Sequence, residues 1–190
     1  MDIDVPLKKL GSVEMEDLRS AILSLDEVAW QENTYRQTEY RQHSDTKSLV
    51  LLFTNNDGWP EVKITKESGW DLLSDVACPL MDRILAEHYP KGGTIIRAVV
   101  ANLTAGGIIT PHVDGHPSFH AGHRIHVPIT TNPRVRFMID GKPYKFEVGE
   151  AYEINNQKAH SVMNKGKEDR FTFIFDYVPL DQKINPVFVE

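Results

Sequence analysis

Cysteine is almost missing: Cys78 stands alone in 190 residues. An intrachain disulfide is therefore impossible, and a zinc or iron–sulfur site built on four thiolates is excluded. Long hydrophobic runs are missing too. The longest strongly apolar stretch, about Leu49 to Phe53, falls far short of the roughly 20 residues that a membrane-spanning helix needs. Met1-Asp2-Ile3-Asp4-Val5 lacks the basic and apolar segments of a secretory signal. The expected location is a reducing cytoplasm, without a membrane partner. Positive charge is in deficit, 21 Lys and Arg against 27 Asp and Glu, for a formal charge of −6. Such a surface is not built to attract a polyanion, and no nucleic-acid partner is expected. Repeats, low-complexity tracts and Ser/Gly linkers are absent as well. With 41% hydrophobic and 25% charged residues, the expectation is one globular domain, 1–190, large enough to bury a core without staples.

What is present divides into two halves. In residues 13–25, Met15, Leu18, Ile22 and Leu25 recur at helical spacing, with Ser12 as a candidate cap. A polar stretch rich in aromatics follows, from Trp30 to His43. Leu49 to Thr54 reads as a buried strand, closed by the turn cluster Asn55-Asn56-Asp57-Gly58. Val76, Leu80, Ile84 and His88 predict a second helix over 75–88, with Pro79 tolerated in its first turn. From Gly92 onward the pattern changes to short strands separated by Gly and Pro: 94–103, 108–113, 123–130, 134–139, 142–147, 151–154, 160–164 and 170–178. Asp140-Gly141 fits a two-residue hairpin turn. The inventory is α+β, with a sandwich or jelly roll over 92–178 and helices from the 1–90 segment packed on one face.

Eight histidines occur in the chain, five of them between positions 112 and 126. That crowding contains His112-Val113-Asp114. In an extended segment residues i and i+2 point the same way, so an imidazole and a carboxylate converge while Val113 turns into the packing. One further ligand completes two nitrogens and one oxygen, the facial set of non-haem Fe(II) oxygenases, which leaves metal positions open. His160, 46 residues after Asp114 and preceded by the turn-forming Asn155-Asn156-Gln157-Lys158, is the natural third member. The triplet alone is common by chance. Arg170 adds to it, heading the run Phe171-Thr172-Phe173-Ile174-Phe175. If that run is antiparallel to the strand from His160, the guanidinium sits deep in the barrel and can take the far carboxylate of a diacid. By itself, Arg170 reads more readily as an edge residue paired with Glu168 or Asp169.

Taken together, these stretches resemble the aspartyl/asparaginyl β-hydroxylase group of 2-oxoglutarate oxygenases over about Arg97 to Val178. The matching segments are Ile109 to Asp114, His123 to Ile129, Val148 to Asn155, His160 to Asn164, and Arg170 leading to Asp176. The resemblance implies a double-stranded β-helix of cupin-like form, with Fe(II) held by His112, Asp114 and His160. It also implies 2-oxoglutarate anchored by Arg170, with Arg124 and His126 as a second basic pair at the cosubstrate. The activity implied is O2-dependent hydroxylation of an unactivated C–H bond, releasing succinate and CO2. Because Asp114 is present, hydroxylation is favoured over halogenation, which needs that coordination site for halide.

Several assignments extend this reading. Asn164 is a candidate partner for the ligand imidazoles. His116, His120 and His123 are candidates for the substrate entrance. Trp30, Tyr35 and Tyr40, with Arg36, Arg41 and His43, are candidates for a substrate wall suited to a carboxylate-bearing amino acid or amino-acid residue. A lipid or other small metabolite is an alternative substrate. A metal-binding jelly roll without turnover, a cupin-like enzyme without cosubstrate and an interaction protein with a solvated His-rich loop are the competing classes.

Overall fold

The computed structural model describes residues 1–30, 45–54 and 58–189. Tyr35, Arg36, Tyr40, Arg41 and His43 of the expected substrate wall lie outside the described residues. The elements run β1 (Leu7–Ser12), α1 (Glu16–Ser24), β2 (Thr46–Thr54), β3 (Glu61–Lys66), α2 (Gly69–His88), β4 (Thr94–Leu103) and β5 (Ile108–His112). Then come α3 (Pro117–Ala121), β6 (His123–Pro128), β7 (Val135–Ile139), β8 (Lys142–Tyr144), β9 (Glu150–Ile154), β10 (His160–Asn164), β11 (Arg170–Val178), a 3-10 turn (Leu180–Gln182) and β12 (Asn185–Val189).

Two sheets result. Eight strands lie in the order β1-β9-β6-β11-β4-β2-β3-β12, and four in the order β5-β10-β7-β8. From β4 to β11 the chain alternates between the large and the small sheet, with the β7–β8 hairpin counting as one step. That winding is the jelly roll expected from the run of short strands. The hairpin turn is Asp140-Gly141, both at positive φ (51° and 72°), as a primed two-residue turn requires.

Period-two alternation in β11 decides which layer lies where. Phe171, Phe173, Phe175 and Tyr177 share one face; Arg170, Thr172, Ile174 and Asp176 share the other. Phe173 and Phe175 are fully buried beside Ala98 and Val100 of β4, and the same core holds Leu18 and Ile22 of α1 with Leu73, Leu80 and Ile84 of α2. Each buried phenylalanine contributes roughly 2–3 kcal/mol. The helices therefore cover one face of the large sheet, as expected. Its other face meets the small sheet across Leu103, Tyr152 and Ile154 on one side and Phe137, Ile139 and Val162 on the other.

Several local expectations need correction. Ser12 does not cap α1; it ends β1, with its hydroxyl donating to Glu150 Oε1 at 3.0 Å. Helix α2 starts at Gly69, not 75, so Pro79 lies inside it. The apolar period already runs through Leu73, and Gly69 lets the helix approach β2 where any Cβ would fall 2.6 Å from Val50 O. Packing outweighs the hydrogen bond that Pro79 removes. Strands β1, β3 and β12 were not anticipated, and β8 is three residues long. The strand after Arg170 pairs with β4 and β6 in the large sheet, not with β10. Among the described residues no helix is long and apolar enough to cross a membrane.

Candidate metal centre

Register brings distant residues together. Strand β10 runs antiparallel to β5 with His160 directly opposite His112, and the register shifts immediately afterwards, between His160 and Val162. The two rings lie with centroids 4.3 Å apart. Bulges of this kind re-aim side chains next to functional sites. Asp114 follows β5 in a loop tied down by its own backbone: its amide donates to Asn156 O at 3.2 Å, and its carbonyl accepts from Gln157 Nε2 at 3.2 Å.

His112 Nδ1 stands 2.8 Å from Thr110 O, and His160 Nδ1 stands 3.0 Å from Lys158 O. A carbonyl only accepts, so each Nδ1 carries the proton and each Nε2 the lone pair. That is the tautomer a metal ligand needs. Burial, outweighing the attraction of Asp114, lowers the pKa of His160 and favours its neutral form. Asp114 Oδ1 lies 3.8 Å from His112 Nε2, and Asp114 Oδ2 lies 4.0 Å from His160 Nε2. One ligand atom from each residue falls within 4.8 Å of the others. Bonds of about 2.1 Å to a divalent ion span up to about 4.2 Å between donors, so the set can hold one with small side-chain adjustments. Two imidazoles and one carboxylate suit a non-haem iron with positions left open.

Arg124 on β6 ties this carboxylate to the large sheet. Its Nη1 donates to Asp114 Oδ2 at 2.7 Å, while Nε and Nη2 donate to Asp176 Oδ1 and Oδ2 at 2.8 and 2.9 Å. Burial alone would lower the Arg124 pKa, but Asp114 and Asp176 hold it above its ordinary value. Arg97 adds Nη1 to Asp176 Oδ2 at 3.3 Å and Nη2 to Ser118 Oγ at 2.9 Å. Both guanidinium carbons lie 4.5 Å from the Phe119 ring centre.

Asp176 itself is buried, which would raise its pKa. Arg124 and Arg97 overcome that and lower it from 3.8 to about 2. The fall corresponds to roughly 2 kcal/mol, present above the unfolded value near 4 and lost as pH drops through about 2. A carboxyl ¹³C NMR titration of the metal-free protein should place the Asp176 midpoint near 2. A midpoint near 4 would contradict the ion pairs.

Arg170 and His126 form a different environment on the same inward face. The Arg170 side chain is buried, and its Nε and Nη2 have no hydrogen-bond partner among the described residues. Asp169 binds Asn102 Nδ2 and the Ala105 amide instead, so the edge pairing with Glu168 or Asp169 is not what the chain adopts. Burial pushes Arg170 down to about 10. His126 is buried with both ring nitrogens lacking partners among the described residues. Burial, then the charges of Arg124 and Arg170, drive its pKa well below the ordinary value, so it is neutral. Thr172 Oγ1, on the same face of β11, is likewise without a partner among the described residues. Phe137 stands 6.0 Å from the Arg170 guanidinium and 5.9 Å from the His126 ring. A buried cation, a neutral imidazole and a hydroxyl with unused hydrogen-bonding capacity fit an anionic, oxygen-rich ligand.

Other expected participants fall elsewhere. Val113, just past the end of β5, is 49% exposed rather than packed. Asn164 does not reach the imidazoles; it donates to Leu103 O, Thr104 O and Glu168 O and so closes a turn. Trp30 is buried against Phe171 in the helix-covered core, ring centres 5.3 Å apart. His116 caps α3 by accepting from the Ser118 amide. His120 is exposed. His123 points to the back of the sheet, where it meets Glu153 at 2.5 Å and stacks near Tyr89. Asp176, Arg97 and Gln157 were not anticipated as site residues. Parity in β11 was the available signal, since Asp176 shares a face with Arg170.

A family model described as Aspartyl/Asparaginyl beta-hydroxylase matches residues 14–179. No match was found among curated protein sequences. Among solved structures, an oxidoreductase of the 2OG-Fe(II) oxygenase family from Burkholderia pseudomallei is similar at 12% identity and a TM-score of 0.55, covering 87% of this chain and 90% of that one. The apo form of ThoJ, a non-heme monooxygenase, is similar at 11% identity and a TM-score of 0.56, covering 92% and 74%; its nickel complex gives 12% and 0.53. At such identities these likenesses establish the fold alone. The family match covers most of the chain, and with it the protein belongs to the aspartyl/asparaginyl β-hydroxylase family, an oxygenase-type oxidoreductase.

Proposed function

We propose that the protein is an Fe(II)- and 2-oxoglutarate-dependent dioxygenase that hydroxylates an unactivated C–H bond of an amino acid or amino-acid residue. The observation that carries this reading is the presence together of a His–Asp–His set at the small sheet and, on the large sheet, a buried guanidinium that has no carboxylate partner among the described residues. A structural arginine would have been paired.

His112, Asp114 and His160 would hold the iron. With O2 and 2-oxoglutarate, the iron supplies oxidative C–H hydroxylation, releasing succinate and CO2. The protein's own contributions are positional. Thr110 O and Lys158 O keep both imidazoles in the ligating tautomer. Arg170, with the neutral His126 and Thr172 beside it, would bind the far carboxylate of the cosubstrate. Arg124 spends three of its five N–H groups on Asp114 and Asp176, leaving two to offer the near end. Phe137, Phe146, Leu103 and Val162 exclude water around the anchor.

The test is succinate formation with Fe(II), 2-oxoglutarate and ascorbate in air, across a panel of free amino acids and short peptides. Expected is a slow iron-dependent background that one member of the panel accelerates at least tenfold, with matching hydroxylated product. Iron bound at one equivalent with no succinate above a chelated control would refute the proposal.

A further inference from the structure

Asp114 has two oxygens and two claimants. Arg124 Nη1 takes Oδ2 at 2.7 Å, and a metal ion needs an oxygen of the same carboxylate. An unrestrained arginine would turn its fork onto both oxygens, the arrangement a guanidinium prefers with a carboxylate, and would compete with the metal. Here its side-on fork, Nε with Nη2, is already spent. Its Nε and Nη2 edge grips Asp176 at 2.8 and 2.9 Å, which leaves a single N–H aimed at Asp114.

A second route leads to the same ligand. Asp176 also accepts from Arg97, and Arg97 donates to Ser118 Oγ at 2.9 Å. Ser118 lies four residues after Asp114, in the short helix that ends the ligand loop. Asp176 is 2% exposed. It meets two guanidinium groups and touches no proposed metal ligand itself.

We propose that Asp176 is a positioning residue: it occupies the fork of Arg124, so that Arg124 holds one oxygen of Asp114 and presents the other to the metal. This rests on the metal assignment made above. Loss of such an outer carboxylate typically weakens metal binding on the order of 10- to 100-fold.

The experiment titrates Co(II) into the metal-free full-length protein and follows its visible bands, which report ligand number and geometry. Wild type is compared with Asp176→Asn and with Asp176→Asn/Arg97→Gln. The double variant removes one charge of each sign and guards against unfolding caused by an excess of buried cations. Expected are one Co(II) per wild-type chain, 10- to 100-fold weaker binding in the folded variants, and a changed band pattern. A folded variant that binds within twofold of wild type, with unchanged bands, overturns the role of Asp176 and leaves the functional reading standing. Absence of Co(II) binding by wild type overturns the functional reading, and this inference with it. A readout on the unaltered protein is the Arg124 Nε–H proton by NMR. It should stay protected from exchange with and without Zn(II), and exchange at the rate of free arginine would refute the grip of Asp176.

Discussion

His160→Ala is expected to abolish stoichiometric metal binding while leaving a folded protein. Structural sites with four ligands bind zinc with roughly 10–16 kcal/mol, so each ligand is worth about 3 kcal/mol and about two orders of magnitude in affinity. The loss falls on a set of only three side chains, so with iron equimolar to protein the turnover should drop on the order of 100-fold or more. The structural side of the substitution is smaller. His160 is 6% exposed and loses one hydrogen bond, to Lys158 O, a contribution of about 1 kcal/mol, and its paired strands remain. Calorimetric titration with Ni(II), a redox-inert substitute, separates the two effects when run beside a thermal melt. A folded His160→Ala protein that still binds one Ni(II) with wild-type affinity would show that the three residues do not form the metal site.

Why this pair of imidazoles could be read from the chain, and much else could not, follows from the range of the physics involved. His112 and Asp114 are two residues apart, and local geometry alone makes them neighbours. His160 was legible through its turn-forming approach and the family's ordered motifs, though the reason it meets His112 is a cross-strand register that no local pattern encodes. The jelly roll was legible because many short strands with Gly and Pro breaks leave few other architectures. The pairing of β11 was not. Alternation says which side chains share a face, yet is silent on which strand lies alongside, and Arg170 reaches the interior from the large sheet instead of from beside His160. Edge strands β1 and β12 are not legible locally because their burial is slight or irregular, and β3, an interior strand, carries only two buried apolar residues, Val62 and Ile64. The charge ladder through Arg97 and Asp176 escaped for a related reason. A buried arginine and aspartate look like ordinary surface polarity until the partner strand is known.

Arg170→Met should act with opposite signs on stability and on cosubstrate binding. In the metal-free protein the guanidinium is buried, and its pKa is pushed down by burial from its ordinary value to about 10. A cation with a lowered folded pKa weakens the fold at every pH below that value, and the penalty fades only as pH rises above about 10 toward the higher value of the unfolded chain. At neutral pH the penalty is at most about 3 kcal/mol, less after local relaxation and water penetration. Methionine retains much of the apolar stem and removes the charge, so the metal-free variant should melt at or above the wild-type temperature. Two charge-assisted hydrogen bonds to a carboxylate contribute roughly 1.5–3 kcal/mol each, so 2-oxoglutarate should bind the Ni(II)-loaded variant at least about 100-fold more weakly. Nickel affinity itself should change little, because no hydrogen bond or ion pair joins Arg170 to His112, Asp114 or His160. Linkage supplies the companion measurement: 2-oxoglutarate at 100 times its Kd should stabilise loaded wild type by about 2.7 kcal/mol and give the variant almost nothing. If Arg170→Met instead unfolds the metal-free protein, or binds 2-oxoglutarate as wild type does, the arginine is holding the barrel together and the diacid must be anchored elsewhere.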